Sequence, residues 1–158
     1  MENIFKNQFG ETVEKPADRS VVFRPSAYAI VINEKNQLLV ARSGFDGRFL
    51  FPGGGIELGE SISDCITREC REETGYHIVA DQSPKYFRET LFHNKLNDYY
   101  YHVVGLFFFG QVVEASVVGQ IEDVTEIASV EWLDLAGVKE EDWSYYCWSV
   151  VKQLKETM

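Results

Sequence analysis

A chain of 158 residues with 45% hydrophobic content is long enough for one domain with a full core. Its net charge of −10 argues against binding to a phosphate backbone, because nucleic-acid binders carry a basic patch or stripe. Met1 to Gly10 lacks the basic-then-apolar pattern of a secretory signal, and no window reaches membrane-spanning length. A protein of the cytoplasm, acting away from membranes, is the expectation. Its three cysteines (Cys65, Cys70 and Cys147) show no C-x-x-C spacing and stand where apolar residues would serve, so they read as buried free thiols.

Residues 1–20 are polar and irregular and read as an N-terminal arm, with Phe9, Val13 and Pro16 as its anchors. Residues 21–158 read as a single domain. Val21 to Asn33 is apolar and β-branched, Glu34-Lys35-Asn36 is a polar turn, and Gln37 to Arg42 returns, which together predict a hairpin. Ser43 to Gly47 is a loop, and Arg48 to Phe51 leads into Pro52-Gly53-Gly54-Gly55. Those glycines are too flexible for a strand interior and would let the backbone approach a ligand or metal.

A helix follows, entered at Ser61 or Ser63 with Asp64 giving a capping-box-like start, and stopped by Gly75. Its carboxylates Glu69, Glu72 and Glu73 fan across roughly 100° of one face. Ile62, Cys65, Ile66 and Cys70 centre on the same side, with Asp64, Thr67, Arg71 and Thr74 opposite. Like charges at i, i+3 and i+4 repel, and burial strips away the screening water. A divalent cation would relieve both costs, since Mg²⁺ and Mn²⁺ prefer oxygen-rich clusters. Arg68 stands among these carboxylates, and its planar fork suits holding Glu60 or Glu69 in place.

Beyond the helix, Ile78 to Ala80 reads as a short strand, and Lys85 to His93 with Tyr99 to Val113 as a second hairpin. Val117 to Glu126 is an acidic loop, Ile127 to Leu133 a strand, and Trp143, Cys147, Val150 or Val151 and Leu154 fall at helical spacing. Strands mixed with two helices predict an α/β fold, an α/β/α sandwich around a mixed central sheet.

The stretch Gly54 to Tyr76 resembles the signature of the Nudix hydrolases, G-x5-E-x7-R-E-U-x-E-E-x-G-U with U bulky and apolar. Gly54, Glu60, Arg68, Glu69, Glu72, Glu73 and Gly75 match its fixed positions, and Cys70 and Tyr76 occupy the U positions. Seven specified positions at fixed spacing make this a specific pattern. The resemblance implies hydrolysis of a pyrophosphate bond in a nucleoside diphosphate linked to another group. It implies Mg²⁺ or Mn²⁺ held by the Gly54 carbonyl, Glu69, Glu72 and Glu73. Arg68 would assist Glu69 in catalysis, with Glu60 as support. The general base is Glu69 by this reading, with Glu122, Asp123 and Glu126 as loop alternatives.

For substrate contacts, Phe45, Phe49 and Tyr99 are candidates for stacking, and Arg42, Arg48 and Arg88 for phosphates. Subgroups for ADP-ribose and dinucleoside polyphosphates carry a Pro or Tyr after the motif, where this chain has Leu91 to His93. The coenzyme A pyrophosphatase pattern is echoed by Leu38-Leu39 and Arg42-Ser43, at too short a spacing to Phe51. A nucleoside triphosphate or nucleotide sugar is left as the small-molecule substrate. The number of metal ions and homodimerisation stay open. The alternatives are a non-catalytic nucleotide-sensing module, which predicts missing carboxylates, and a diphosphate isomerase, which needs a catalytic Cys outside the motif.

Overall fold

The computed structural model describes residues 4–114 and 126–158. In chain order its strands are β1 (Ile4–Lys6), β2 (Thr12–Glu14), β3 (Val21–Val31), β4 (Gln37–Ser43), β5 (Phe49–Leu50) and β6 (Gly53–Gly55). Helix α1 (Ile62–Thr74) follows, then β7 (His77–Ala80), β8 (Tyr86–Asn94), β9 (Tyr99–Glu114), β10 (Ile127–Asp134) and α2 (Tyr145–Thr157). The main sheet runs β2-β1-β8-β9-β3-β6, with β7 also on β9, and a three-stranded sheet runs β10-β4-β5. Parallel and antiparallel pairings mix. β9 runs parallel to β3 from Val21↔Tyr100 to Val31↔Gly110 and antiparallel to β8 in the expected hairpin.

The side-chain alternation of β3 explains the layering. Ala27, Ala29 and Val31 pack on one face against Cys65, Ile66 and Cys70 of α1. Ile30 and Tyr28 belong to the opposite face, where Val150, Val151 and Leu154 of α2 cover the sheet. Strand β4 is divided in the same way, with Leu39 on the α1 side and Leu38 and Val40 on the α2 side. The α/β/α sandwich expected from the sequence is therefore present.

Four local expectations are corrected. β3 and β4 do not form an extended hairpin: beyond the bridge Ile32↔Leu38, β4 pairs with β10 and β5 instead. Both edges of β3 are already taken, by β9 and by β6. Gly53–Gly55, expected to lie outside any strand, is a short edge strand registered on Ser26–Tyr28. In α1, Ile62 is exposed and Thr74 is buried, its hydroxyl donating to the Cys70 carbonyl at 2.5 Å. Trp143 precedes α2 and is fully buried, its ring 5.7 Å from that of Phe49 and 5.2 Å from that of Phe51.

The first 20 residues contribute β1 and β2, with β1 joining β8 at Lys6↔Phe92. Their anchor is Phe5, buried edge-on against Tyr100, whereas Phe9 and Pro16 are exposed. Among the described residues no helix is long and apolar enough to cross a membrane.

Phe107 is fully buried where the rings of Tyr28, Phe51 and Tyr146 meet. Truncating it removes transfer energy and leaves a cavity, so Phe107→Ala should lower stability by about 3–5 kcal/mol. Urea denaturation checks this; a shift in midpoint of under about 1 kcal/mol equivalent would mean the aromatic cluster is not the centre of the core.

Candidate active site

Helix α1 is fixed at both ends by its own sequence. The Ser61 hydroxyl accepts from the Asp64 N–H at 3.1 Å and donates to the Asp64 carboxylate at 2.7 Å. Gly75 closes the helix at φ +75°, a conformation that costs least for glycine. Between these ends, Arg68 reaches back to the loop before the helix. Its Nε and Nη2 donate to the two Glu60 oxygens at 2.7 and 3.0 Å, a bidentate fork. Its Nη1 donates to Glu69 Oε1 at 2.8 Å, and Nη2 also reaches the Gly55 carbonyl at 3.2 Å. The expected linkage of Arg68 with Glu60 and Glu69 is therefore present as geometry.

The glycine strand lies directly against this helix. A Cβ on Gly54 would fall 2.7 Å from the Glu69 carboxylate, so a larger residue there would have to displace that carboxylate. A Cβ on Gly53 (φ +142°) would fall 2.3 Å from the Ala27 carbonyl. The Gly53 N–H donates to Glu73 Oε2 at 2.8 Å. Gly53, Gly54 and Glu73 open together onto a cavity of about 230 Å³. Of the α1 carboxylates Glu73 lines this cleft, beside a strand that has no side chains, whereas Glu69 and Glu72 lie outside its lining.

Charge is unevenly balanced here. Hydrogen bonding by Arg68, with help from the Glu57 N–H, holds Glu60 down at about 2. Burial pushes Glu69 up, and Glu72 adds to the rise, while Arg68 and Arg24 oppose it. Burial pushes Glu73 well above the usual carboxylate range; the Gly53 N–H opposes this, and Glu69, Glu126 and Glu72 reinforce it. Cys65 is raised to about 12 by burial, with its thiol 3.7 and 3.6 Å from the Gly54 and Gly55 carbonyls. All three cysteines are free and buried.

No three His, Cys, Asp or Glu side chains among the described residues converge on a ready metal site as they stand. The donor chemistry still fits a hard divalent cation. Glu69, Glu72, Glu73 and the Gly54 carbonyl offer only oxygen, and the raised Glu73 marks acidic charge that the protein itself leaves under-compensated.

The other sequence candidates fall elsewhere. Arg42 is bonded to Glu131 at 2.8 Å and to the Gly47 carbonyl at 2.8 Å, and its guanidinium sits 4.2 Å above the Phe49 ring. Arg48 donates to the Trp143 carbonyl at 3.0 Å and lies 4.9 Å above Phe9. Arg88 contacts Ser149 and lies over Tyr145. None of the three lines the cavity, nor do Phe49 and Tyr99, whereas Phe45 and Glu126 do. Glu122 and Asp123 lie outside the described residues. Sequence reasoning missed Arg24, Ser26 and Tyr28, which line the cavity at alternate positions of β3. Their period of two was the available signal, since it sets them opposite the alanines that face α1.

Comparison with known proteins decides the family. A match to the NUDIX domain spans residues 22–149. The chain belongs to the NUDIX family, a family of hydrolases. It is 26% identical over 112 residues to a provisionally named 8-oxo-dGTP diphosphatase of Bacillus subtilis (strain 168), covering 71% of this chain and 67% of that protein. It is 30% identical over 109 residues to the uncharacterized Nudix hydrolase YvcI of the same organism, covering 69% and 65%. The matches thus span about two thirds of those relatives' lengths. Among solved structures, a NUDIX hydrolase from Nitrosomonas europaea superposes with a TM-score of 0.68 at 19% identity, over 85% of this chain and 88% of that one. That likeness supports the Nudix fold alone.

Two carboxylates of this Nudix site should move stability in opposite directions with pH. Folding lowers Glu60 from an ordinary 4.5 to about 2, so its contribution is present above about pH 4.5 and lost as pH falls toward 2. Glu60→Gln should flatten that acid-side loss. Folding raises Glu73, so its contribution is present below about pH 4.5 and lost as pH rises through the folded value. In EDTA near neutral pH, Glu73→Gln should therefore melt higher than the parent protein. Melting curves from pH 2 to 8 check both, and curves parallel to the parent's in either variant would contradict the assignment.

Proposed function

We propose that this Nudix hydrolase cleaves a pyrophosphate bond in a nucleoside diphosphate linked to another moiety, of the nucleoside triphosphate or nucleotide-sugar type. The observation that carries the reading is that Glu73, at the edge of the acidic cluster on α1, opens beside side-chain-free Gly53 and Gly54 onto one cavity. That cavity also holds the Arg24 guanidinium and the aromatic rings of Tyr28, Phe92 and Tyr101. A polyanionic end and a flat, apolar end of one ligand would both find suitable walls there.

Glu69, Glu72, Glu73 and the Gly54 carbonyl would hold Mg²⁺ or Mn²⁺. When bound, such an ion neutralises the pyrophosphate and acidifies an attacking water. Arg24 covers Gly55 closely enough that a Cβ there would lie 3.2 Å from it, which sets a cation beside the glycine strand. Glu69 is the proton acceptor in this reading, pressed against Gly54 and oriented by Arg68, with Arg68 itself fixed by Glu60. Of the loop alternatives, Glu126 lines the cavity. A reducing cytoplasm suits three free buried thiols.

The test is release of phosphate or nucleotide from a panel of nucleoside triphosphates, nucleotide sugars and dinucleotides, with Mg²⁺ or Mn²⁺. Turnover of one compound is expected, abolished by EDTA and reduced at least about a hundredfold by Glu73→Gln or Glu69→Gln. Glu126→Gln should keep turnover within about tenfold; a loss matching that of Glu69→Gln would move the base to the loop. Tight nucleotide binding without turnover across the panel would replace hydrolysis with sensing.

A further inference from the structure

The first 20 residues lie outside the matched NUDIX region, yet they supply part of the cavity wall. Gln8 is 8% exposed and lines the cavity, and its Oε1 is buried with no hydrogen-bond partner among the described residues. A buried acceptor left unpaired costs about 1–3 kcal/mol, so it is expected to meet a donor in some state of the protein. The backbone that carries it is firmly held. The Tyr145 N–H donates to the Gln8 carbonyl at 2.9 Å, while the Asn7 side chain accepts from the N–H groups of Phe9 and Glu11 at 3.0 Å each. Phe5 anchors the preceding strand, and Arg48 and Lys95 lie over the ring of Phe9 at 4.9 and 5.3 Å. Gln8 is thus fixed by groups other than its own carboxamide; it lines the cavity, and its Oε1 has no partner among the described residues.

Its position says what it would meet. The pairing Lys6↔Phe92 brings the arm beside β8, so Gln8 joins Phe92, Asn94 and Leu96 in the wall. Glu73 of α1 and Arg24 complete other parts of the same lining. We propose that the N-terminal hairpin is a specificity wall of the substrate cavity, and that Gln8 accepts a hydrogen bond from an exocyclic amino group on the edge of the substrate's nucleobase. The proposal rests on the nucleotide reading above, but not on catalysis. A site built to bond a polar group rejects an analogue that lacks it more strongly than an apolar pocket rejects a size difference.

Unphosphorylated adenosine, guanosine, cytidine and uridine, titrated in EDTA, test this without metal or turnover. NMR of the ¹⁵N-labelled full chain should show an amino-bearing nucleoside binding at least about tenfold tighter than uridine, which has no exocyclic amino group, and moving the Gln8 side-chain amide resonances. Gln8→Met, which keeps the length and removes the polar atoms, should erase at least about tenfold of that preference. Equal binding of all four nucleosides, no binding of any, or a preference that survives Gln8→Met overturns the proposal. Should Gln8→Met not fold, the parent protein decides alone: a preferred nucleoside that leaves the Gln8 amide unmoved overturns it. Absence of turnover in the substrate panel, with nucleoside preference intact, removes the hydrolase reading and leaves this one standing.

Discussion

The arrangement of this molecule turns on how one guanidinium is shared among carboxylates. Arg68 contacts Glu60, Glu69 and, at 3.5 Å, Glu72. Glu73 lies beyond its reach and takes a single backbone N–H from Gly53. Burial penalises its charged form most, Glu69, Glu126 and Glu72 add repulsion, and one neutral hydrogen bond returns only about 1 kcal/mol. Glu73 therefore resists ionisation in the protein alone. Arg68 thus orders the acidic loop and the helix, while among the described residues Glu73 is met by a backbone N–H and not by a cation.

That ordering depends on backbone as much as on charge. The glycine strand has to lie between β3 and α1, within 2.3 Å of β3 on one side and 2.7 Å of the Glu69 carboxylate on the other if Cβ atoms were present. A side chain at Gly53 would collide with the β3 backbone, and one at Gly54 would displace the Glu69 carboxylate from where it stands. Small residues on the same face of β3, Ala27 and Ala29, let α1 settle where its carboxylates meet the strand. Loop, strand and helix form one mechanical unit, and a change in any of them alters the distance between carboxylate and carbonyl.

Much of this was legible in the sequence because it is local. Ser61, Asp64 and Gly75 mark the ends of α1 by chemistry within one turn, and the i, i+3, i+4 spacing puts Glu69, Glu72 and Glu73 together. The hairpin β8–β9 announced itself by two aromatic runs around a polar turn. What was not legible depends on partners far along the chain. Whether β3 pairs with β4 is decided by β9 and β6, which occupy both edges of β3. A triple glycine reads as a loop until Ser26–Tyr28 supplies its ladder. Thr74 looked outward on a helical wheel, but it sits in the last turn, where its hydroxyl satisfies the Cys70 carbonyl and it turns inward.

The same distinction explains the arginines. A guanidinium in sequence signals positive charge, but not whether that charge is free to meet a ligand. Arg42, Arg48 and Arg88 each lie over an aromatic ring, and each also makes a hydrogen bond to the protein. Stacking of this kind contributes about 0.5–2 kcal/mol and fixes the side chain where it stands. Arg48 does so over Phe9 of the N-terminal hairpin, so the cation proposed for phosphate instead fastens the arm that carries Gln8. Arg24 also lies over a ring, that of Tyr101 at 5.2 Å, but both belong to the cavity lining, so its charge stays beside the cavity where that of the other three does not. Under the proposed function, a polyanionic ligand would meet Glu73 and Glu126 in this cavity with little protein cation beside Arg24 to offset them. A divalent cation would close that charge balance, which is why the proposed reaction calls for one.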